Sequence, residues 1–411
     1  MNRELRQDAD YIIKEAIQAV QPDAAVARAL QGQRFSGRVI LISVGKAAWQ
    51  MAHAACQCLN SRIETGVIVT KYGHVIEELP GILCYEGGHP TPDEGSFQGT
   101  QAALDAVRGL GPQDTVLFLL SGGGSALFEK PLIPAHELQD VTRQLLACGA
   151  DIVEINTIRK RLSAVKGGKF AMLCRPAHVF SIVLSDILGD PLDMIASGPA
   201  CPDSSTCQQA VKIAEKYGLR LSDEAERLLR IETPKTLDNA TAHITGSVRE
   251  LCAAAANACQ SLGYEPMLLT DQLCCQAREA GGFLASIIKT HRHADKNLAF
   301  IAGGETVVQL TGKGMGGRNQ ELALAAAPGI AGISNAAVFS VGSDGTDGPT
   351  DAAGGYVDGF TLEKLKAAGR SVDAVLKDND AYHALQFTDG LIFTGPTGTN
   401  VNDVAVALIR R

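Results

Sequence analysis

Aromatic residues are scarce. Phe, Trp and Tyr make up 5% of the 411 residues, with a single Trp, too few for the stacking platforms that hold single-stranded nucleic acid. Positive charge is in deficit too. The formal net charge of −8 opposes binding to a phosphate backbone, and any anionic ligand must be held by local cations and backbone amides. No run reaches the ~20 apolar residues of a membrane span, and Met1–Ala16 lacks the basic, apolar and cleavage regions of a secretory signal. The expected partners therefore include neither nucleic acid nor membrane. The 11 cysteines are odd in number, form no C-x-x-C pair and fall mostly in Ala-rich helical stretches, which reads as reduced thiols in a cytoplasmic protein. No G-x-x-x-x-G-K-[ST] is present, excluding a P-loop nucleotidase, and there is no H-E-x-x-H zinc motif.

What is abundant is apolar surface and glycine. The hydrophobic set is 45% of the chain, enough for large cores, and 43 glycines exceed the ~7% average without any collagen-like period. A long helical pattern covers Arg3–Leu30. Apolar runs at Arg38–Val44, Val67–Thr70, Ile82–Tyr85, Thr115–Leu120 and His178–Leu184 then alternate with helical segments near Asp93–Arg108, Ala135–Cys148, Asp151–Ala164 and Thr206–Tyr217. Buried strands separated by helices predict a doubly wound, Rossmann-like parallel sheet. The polar stretch Ile231–Ala240 reads as a linker. Strand and helix alternate again through Thr241–Thr245, Pro266–Thr270 and Asn297–Ala302, and the last hundred residues carry short strands with Gly-rich turns. We expect an N-terminal α/β domain over 1–235 and a second, mixed α/β region over 236–411.

Several motifs stand at predicted strand exits, where open α/β sheets bind ligands. Lys46, after Gly45, is placed to meet an anion. Ser121-Gly122-Gly123-Gly124-Ser125 precedes a helix start, so its amides and the helix N-terminus suit a phosphate or carboxylate. Arg159, Lys160, Arg161, Lys166 and Lys169 crowd one short segment of an acidic chain, with Arg159 and Lys166 seven apart on one helix face. Asp186 and Asp190 lie in a long strand-exit loop and are of the type that holds hard cations such as Mg²⁺. Downstream come Glu305, the G-x-G-x-G run from Gly312 to Gly316, and Arg318-Asn319 opening a helix. Asp344, Asp347 and Asp351 fall within eight residues and would repel one another unless a cation is near. His89, in Gly87-Gly88-His89-Pro90-Thr91-Pro92, is the only His in an unusual loop.

These segments, in this order, resemble the class II glycerate kinases, the glycerate 2-kinase family with a C-terminal MOFRL domain. The likeness rests on VGKAA at 44–48, GGHPTPDEGS at 87–96, LLSGGGSAL at 119–127, INTIRKRLSAVKGGKFA at 155–171 and LSDILGDP at 184–191. It continues through IASGPACPD at 195–203, GGET at 303–306, GGRNQELAL at 316–324, GSDGTDGPTDAAGG at 342–355 and TGPTGTNVNDV at 394–404. The resemblance implies ATP-dependent phosphorylation of D-glycerate at its 2-hydroxyl, with Mg²⁺ or another divalent cation. It also implies two α/β domains with the active site in the interdomain cleft, and a MOFRL domain at about 297–405. By that likeness the functional lysine falls on Lys46, the arginine on Arg318 and the acidic loop on Asp344, Asp347 and Asp351.

We expect Lys46 and Arg318 to hold the transferring phosphate and the glycerate carboxylate. Ser121 to Ser125, Arg159, Lys166, Asn319 and Glu305 are expected to bind substrate, and Asp186 and Asp190 to bind metal. An aspartate of the 344–351 loop could hold the metal instead; which aspartate binds it and which accepts the hydroxyl proton stays open, and so does a homodimer. Arg161, where many members carry His, is the departure expected to alter substrate preference. Alanine at Lys46 or Arg318 should cut turnover by orders of magnitude and leave the fold intact. Members of this family are often labelled hydroxypyruvate reductases, so the rival expectation is an NAD(P)H-dependent reductase. It is motivated by the G-x-G-x-G run but lacks the acidic residue ~20 positions on that a ribose contact needs.

Overall fold

Every residue from Val39 to Val44 is buried, which a strand achieves only when both faces of its sheet are covered. Side chains alternate between the two sides. Ile40, Ile42 and Val44 enter one core with Val116, Phe118 and Leu120, while Val39 and Leu41 enter another with Leu117, Leu119, Phe180 and Ile182. The computed structural model, which describes residues 1–411, thus has a two-sided sheet built from β1 (Val39–Val44), β2 (Ile63–Lys71), β3 (Ile82–Gly87), β4 (Thr115–Leu120), β5 (His178–Leu184) and β6 (Ala240–Gly246). Their order is β3-β2-β1-β4-β5-β6, and β1 to β5 pair in parallel. The chain winds outward from β1 to β3, then returns to the other side of β1 with β4. That reversal makes the β1/β4 exit the crevice where such sheets bind ligands.

The second sheet comprises β7 (Glu265–Leu273), β8 (Leu298–Gly304), β9 (Ala336–Gly342), β10 (Gly354–Asp358), β11 (Leu391–Ile392) and β12 (Asp403–Ile409), ordered β11-β10-β9-β12-β8-β7. It is mixed: β7 and β8 are parallel, and β12 runs antiparallel to both β8 and β9. Helices Ala277–His291 and Arg318–Ile330 supply the core on one face, and Val248–Ser261 and Arg3–Ala19 pack on the other. The α/β class and the doubly wound first sheet stand as expected. No helix is long and apolar enough to cross a membrane.

Three details depart from the sequence reading. The predicted helix Arg3–Leu30 is two helices, Arg3–Ala19 and Pro22–Leu30, because Pro22 has no amide to continue the first and is preorganised to start the second. The chain divides into Ala25–Thr245 and a unit made of Met1–Ala24 with Gly246–Arg411, rather than at 235/236. Side chains explain the first helix's place: Asp8 accepts hydrogen bonds from Tyr264 at 2.5 Å and Arg410 at 2.7 Å, and Arg6 donates to the Leu391 carbonyl. Finally, the strand at 240–246 closes the first sheet instead of opening the second.

Candidate active site

In the first unit the exits of β1 and β4 are locked together. Gly45 adopts φ +121°, and a Cβ there would stand 2.3 Å from Ser121 Oγ, so only glycine lets the two turns close on each other. Lys46 N–H donates to the Gly122 carbonyl at 2.9 Å, and the buried Ser121 hydroxyl accepts from Ala47 N–H at 3.1 Å. The amides of Gly122 to Ser125 donate to no main-chain carbonyl. A Cβ on Gly123, at φ +86°, would lie 3.2 Å from Lys46 Cγ and 3.1 Å from His89 Cδ2; one on Gly122 would lie 2.4 Å from Asp186 Oδ2. Lys46, His89, Asp186 and the glycine loop are therefore one cluster. Burial, then the nearby Lys46 charge, lowers the His89 pKa, which keeps that imidazole neutral near pH 7. The helix after the loop is a single turn, Gly124–Leu127, so the expected dipole contribution is small and the loop amides carry the anion-binding capacity.

The basic segment behaves differently from its sequence reading. Lys166 is fully buried; its ammonium donates to the carbonyls of Ser125 at 2.8 Å and Phe128 at 3.0 Å and faces Glu129 at 3.5 Å. Burial lowers its pKa to about 8. Arg159 donates to the same Ser125 carbonyl at 2.9 Å. Both cations brace the glycine loop through the Ser125 carbonyl, and Lys166 does so fully buried. Arg161 is buried against Ser205, Thr157 and Asp203, which removes the expected link to substrate preference. Lys169 donates to the carbonyls of Lys160, Arg161 and Ser163 and so caps the helix Ile152–Leu162.

Residues not foreseen from sequence complete the brace: Ala196 and Ser197 sit at φ +49° and +62°, a conformation costly for side-chain-bearing residues. A Cβ on Gly124 would come 2.7 Å from the Ala196 methyl, and Ser197 Oγ donates to Asn156 at 2.8 Å. Replacing Lys166 by Met should lower stability by roughly 1–3 kcal/mol, because it strips the Ser125 and Phe128 carbonyls of a buried donor and leaves Glu129 with Arg159 alone, at 3.7 Å. Urea denaturation against wild type measures this. A loss below about 1 kcal/mol would contradict the bracing role.

In the second unit, β12 begins where β8 and β9 end: Asp403 is in register with both Gly304 and Gly342. Arg318, first residue of its helix, donates to Asp403 through Nε at 2.6 Å and Nη2 at 3.1 Å, and to Glu305 through Nη1 at 2.8 Å. Burial works against its charge, but the Asp403 pair prevails and holds its pKa above the usual guanidinium value. Asp403 was not among the expected site residues, although it lies within the quoted TGPTGTNVNDV motif.

The three loop aspartates separate. Asp344 is half-buried beside the pair: a Cβ on Gly342 would lie 3.3 Å from Asp344 Oδ1 and 3.4 Å from Asp403 Oδ1. Asp347 is buried and accepts from Asn319 N–H at 3.1 Å and Gln320 N–H at 2.8 Å, capping the helix that Arg318 opens. Asp351 accepts from the Tyr382 hydroxyl at 2.8 Å. Asn319 is itself buried between Asp347 and Ser340. No group of three or more His, Cys, Asp or Glu side chains converges as a metal cage.

Burial lifts the Asp347 carboxyl from 3.8 to about 6. An acid whose folded pKa is raised loses stability as pH rises from the unfolded value to the folded one, because the unfolded chain ionises first. The stability difference between wild type and Asp347→Asn should therefore shift by roughly 2–3 kcal/mol against wild type from pH 4 to pH 7, read from urea titrations. A pH-independent difference would refute it.

The G-x-G-x-G run is not a dinucleotide cradle. Four of its five amides, those of Gly312, Lys313, Gly314 and Met315, donate to Asn379, Asp378 and Asp380 of the same unit, so they are committed within the fold rather than to a pyrophosphate.

Residues 8–230 match the family described as Domain of unknown function (DUF4147), and residues 298–403 match the MOFRL family. A D-glycerate 2-kinase from Thermotoga maritima is 51% identical, over 98% of both chains. The chain belongs to the DUF4147–MOFRL glycerate kinase family. A crystal structure of glycerate kinase from Thermotoga maritima superposes with a TM-score of 0.95 at 50% identity, covering 99% of this chain and 100% of that one. A family member from Agrobacterium vitis, 37% identical over 98% of this chain and 94% of its own, is named putative hydroxypyruvate reductase.

Proposed function

We propose that this glycerate kinase family member transfers the terminal phosphoryl group of ATP to the 2-hydroxyl of D-glycerate, giving ADP and 2-phosphoglycerate. The end-to-end likeness to a D-glycerate 2-kinase carries the reading. The site supports it, because phosphoryl transfer is mainly positioning and neutralisation of charge, and each unit presents a cation beside glycine-lined backbone. Lys46 and the amides of Gly122, Gly123 and Ser125 hold phosphate. Arg318 binds the glycerate carboxylate, its fork held by Asp403 and Glu305.

Asp344 takes the general-base role: it accepts the proton as the hydroxyl oxygen bonds to phosphorus and the ADP oxygen leaves. Of the three loop aspartates it is the one that is neither buried as a helix cap nor paired with Tyr382. The residues also fit a hard cation. Asp186 lies against the glycine loop, and Asp190 Oδ1 is buried with no hydrogen-bond partner; these carboxylates would hold Mg²⁺, whose charge would help neutralise the phosphates.

Incubation with ATP, Mg²⁺ and D-glycerate should release ADP only when glycerate is present, with 2-phosphoglycerate identified by phosphorus NMR. Absence of glycerate-dependent ADP overturns the kinase reading; the 3-phospho isomer overturns the regiochemistry. Oxidation of NAD(P)H by hydroxypyruvate would favour the reductase, whose motivating glycine run has four of its five amides committed within the unit.

A further inference from the structure

Beside the glycine loop, within the first unit, lies a cavity of about 340 Å³ that no step above uses. One wall is Pro90 and Pro92, which follow His89, the residue against Gly123. The facing wall is the helix Ala135–Ala147, which contributes Leu138, Thr142 and Leu146, one residue per turn on a single face. Arg159 forms the end nearest the loop, its guanidinium anchored on the Ser125 carbonyl. The cavity is thus linked through Arg159 to the loop that holds phosphate in the proposed reaction. Its size falls at the lower end of the range for small-molecule pockets.

Resting on the kinase reading, we infer that this cavity holds the nucleoside of the phosphoryl donor, with its phosphates extending onto the glycine loop and Lys46. The walls decide between the two substrates. Glycerate has three carbons, two hydroxyls and a carboxylate, so it offers no apolar face to Pro90, Pro92, Leu138 or Leu146. A base offers two flat faces for the prolines and leucines, plus a polar edge for Thr142. Arg159 adds a planar cation that stacks on aromatic rings. Leu146 is 65% exposed, and a nucleoside would cover it. The same assignment separates the ligands' charges: the glycine loop takes the donor's phosphates, and the glycerate carboxylate goes to Arg318.

The test compares ADP with pyrophosphate, which shares the phosphates and lacks the nucleoside, by titration calorimetry on the full chain. Wild type should bind ADP at least tenfold more tightly than pyrophosphate. Thr142→Phe, which fills the cavity, should weaken ADP at least tenfold, with pyrophosphate affinity and the KM for glycerate unchanged within twofold. Leu146→Ala, which trims the wall without adding bulk, should weaken ADP about threefold and decides alone if Thr142→Phe does not fold. Unchanged ADP affinity in the folded variants overturns the inference, as does a parallel loss for pyrophosphate or glycerate. Glycerate-dependent ADP release by wild type is measured on the same preparation. If it occurs while the variants bind ADP normally, the pocket assignment fails and the kinase reading stands; if it does not occur, both fail.

Discussion

Lys46→Ala should lower kcat roughly 10²- to 10³-fold, the loss typical of removing one preorganised group from developing charge, while the melting temperature stays near wild type. The second half of that expectation comes from how the turn is built. Lys46 joins the fold through its backbone: its N–H donates to the Gly122 carbonyl and its carbonyl pairs with His74 Nδ1 at 2.9 Å. No buried carboxylate depends on its ammonium, so alanine leaves the β1/β4 closure standing. Lys46→Arg should recover only part of the rate. A guanidinium is longer and forked, and the space over Gly123 is already bounded by His89. Steady-state kinetics paired with thermal unfolding decides the matter. A rate within threefold of wild type, or a collapse of stability matching the loss of rate, would remove Lys46 from the phosphate site.

Much of the fold was legible because its strands are buried on both faces. Thr115–Leu120 and His178–Leu184 were read to the residue, since continuous apolar runs bounded by turns have few alternatives. The helix caps were legible for a similar reason: Asp93, Asp151 and Thr206 open the predicted helical segments and do cap the helices that follow. Tertiary partnership was not legible. Helical spacing runs on through Pro22, and nothing in Arg3–Ala19 announces that Asp8 will meet Tyr264 and Arg410 hundreds of residues away.

The same limit governs the site. Strand exits pointed to the glycine loop, Lys46 and Arg318, because backbone geometry there follows from local sequence. Charge density misled, because a cluster of Lys and Arg reads alike whether it faces solvent or a buried carbonyl. Lys166 and Arg161 turned inward, and the three-aspartate loop fanned out to a local turn, a helix cap and a tyrosine. Asp403 was passed over because its partner Arg318 lies 85 residues earlier and spacing alone cannot pair them.

Arg318→Ala is expected to fail twice, and the two failures can be separated. The first is chemical: without the fork that meets a carboxylate bidentately, kcat/KM for glycerate should fall roughly 10³-fold, with the apparent affinity for nucleotide changing little. The second is structural, and it revises the expectation that the fold would be indifferent. Asp403 is buried at the start of the central strand β12, and burial raises its pKa while Arg318 opposes the rise. Alanine strands that carboxyl, and a buried polar group left without its partner costs about 1–3 kcal/mol. Adding Asp403→Asn removes the stranded charge. The double variant should therefore regain most of the stability lost by Arg318→Ala and none of the activity. If it regains both, Arg318 only supports Asp403 and the glycerate carboxylate binds elsewhere. If it regains neither, the Arg318–Asp403 pair does not set the local stability as its geometry requires.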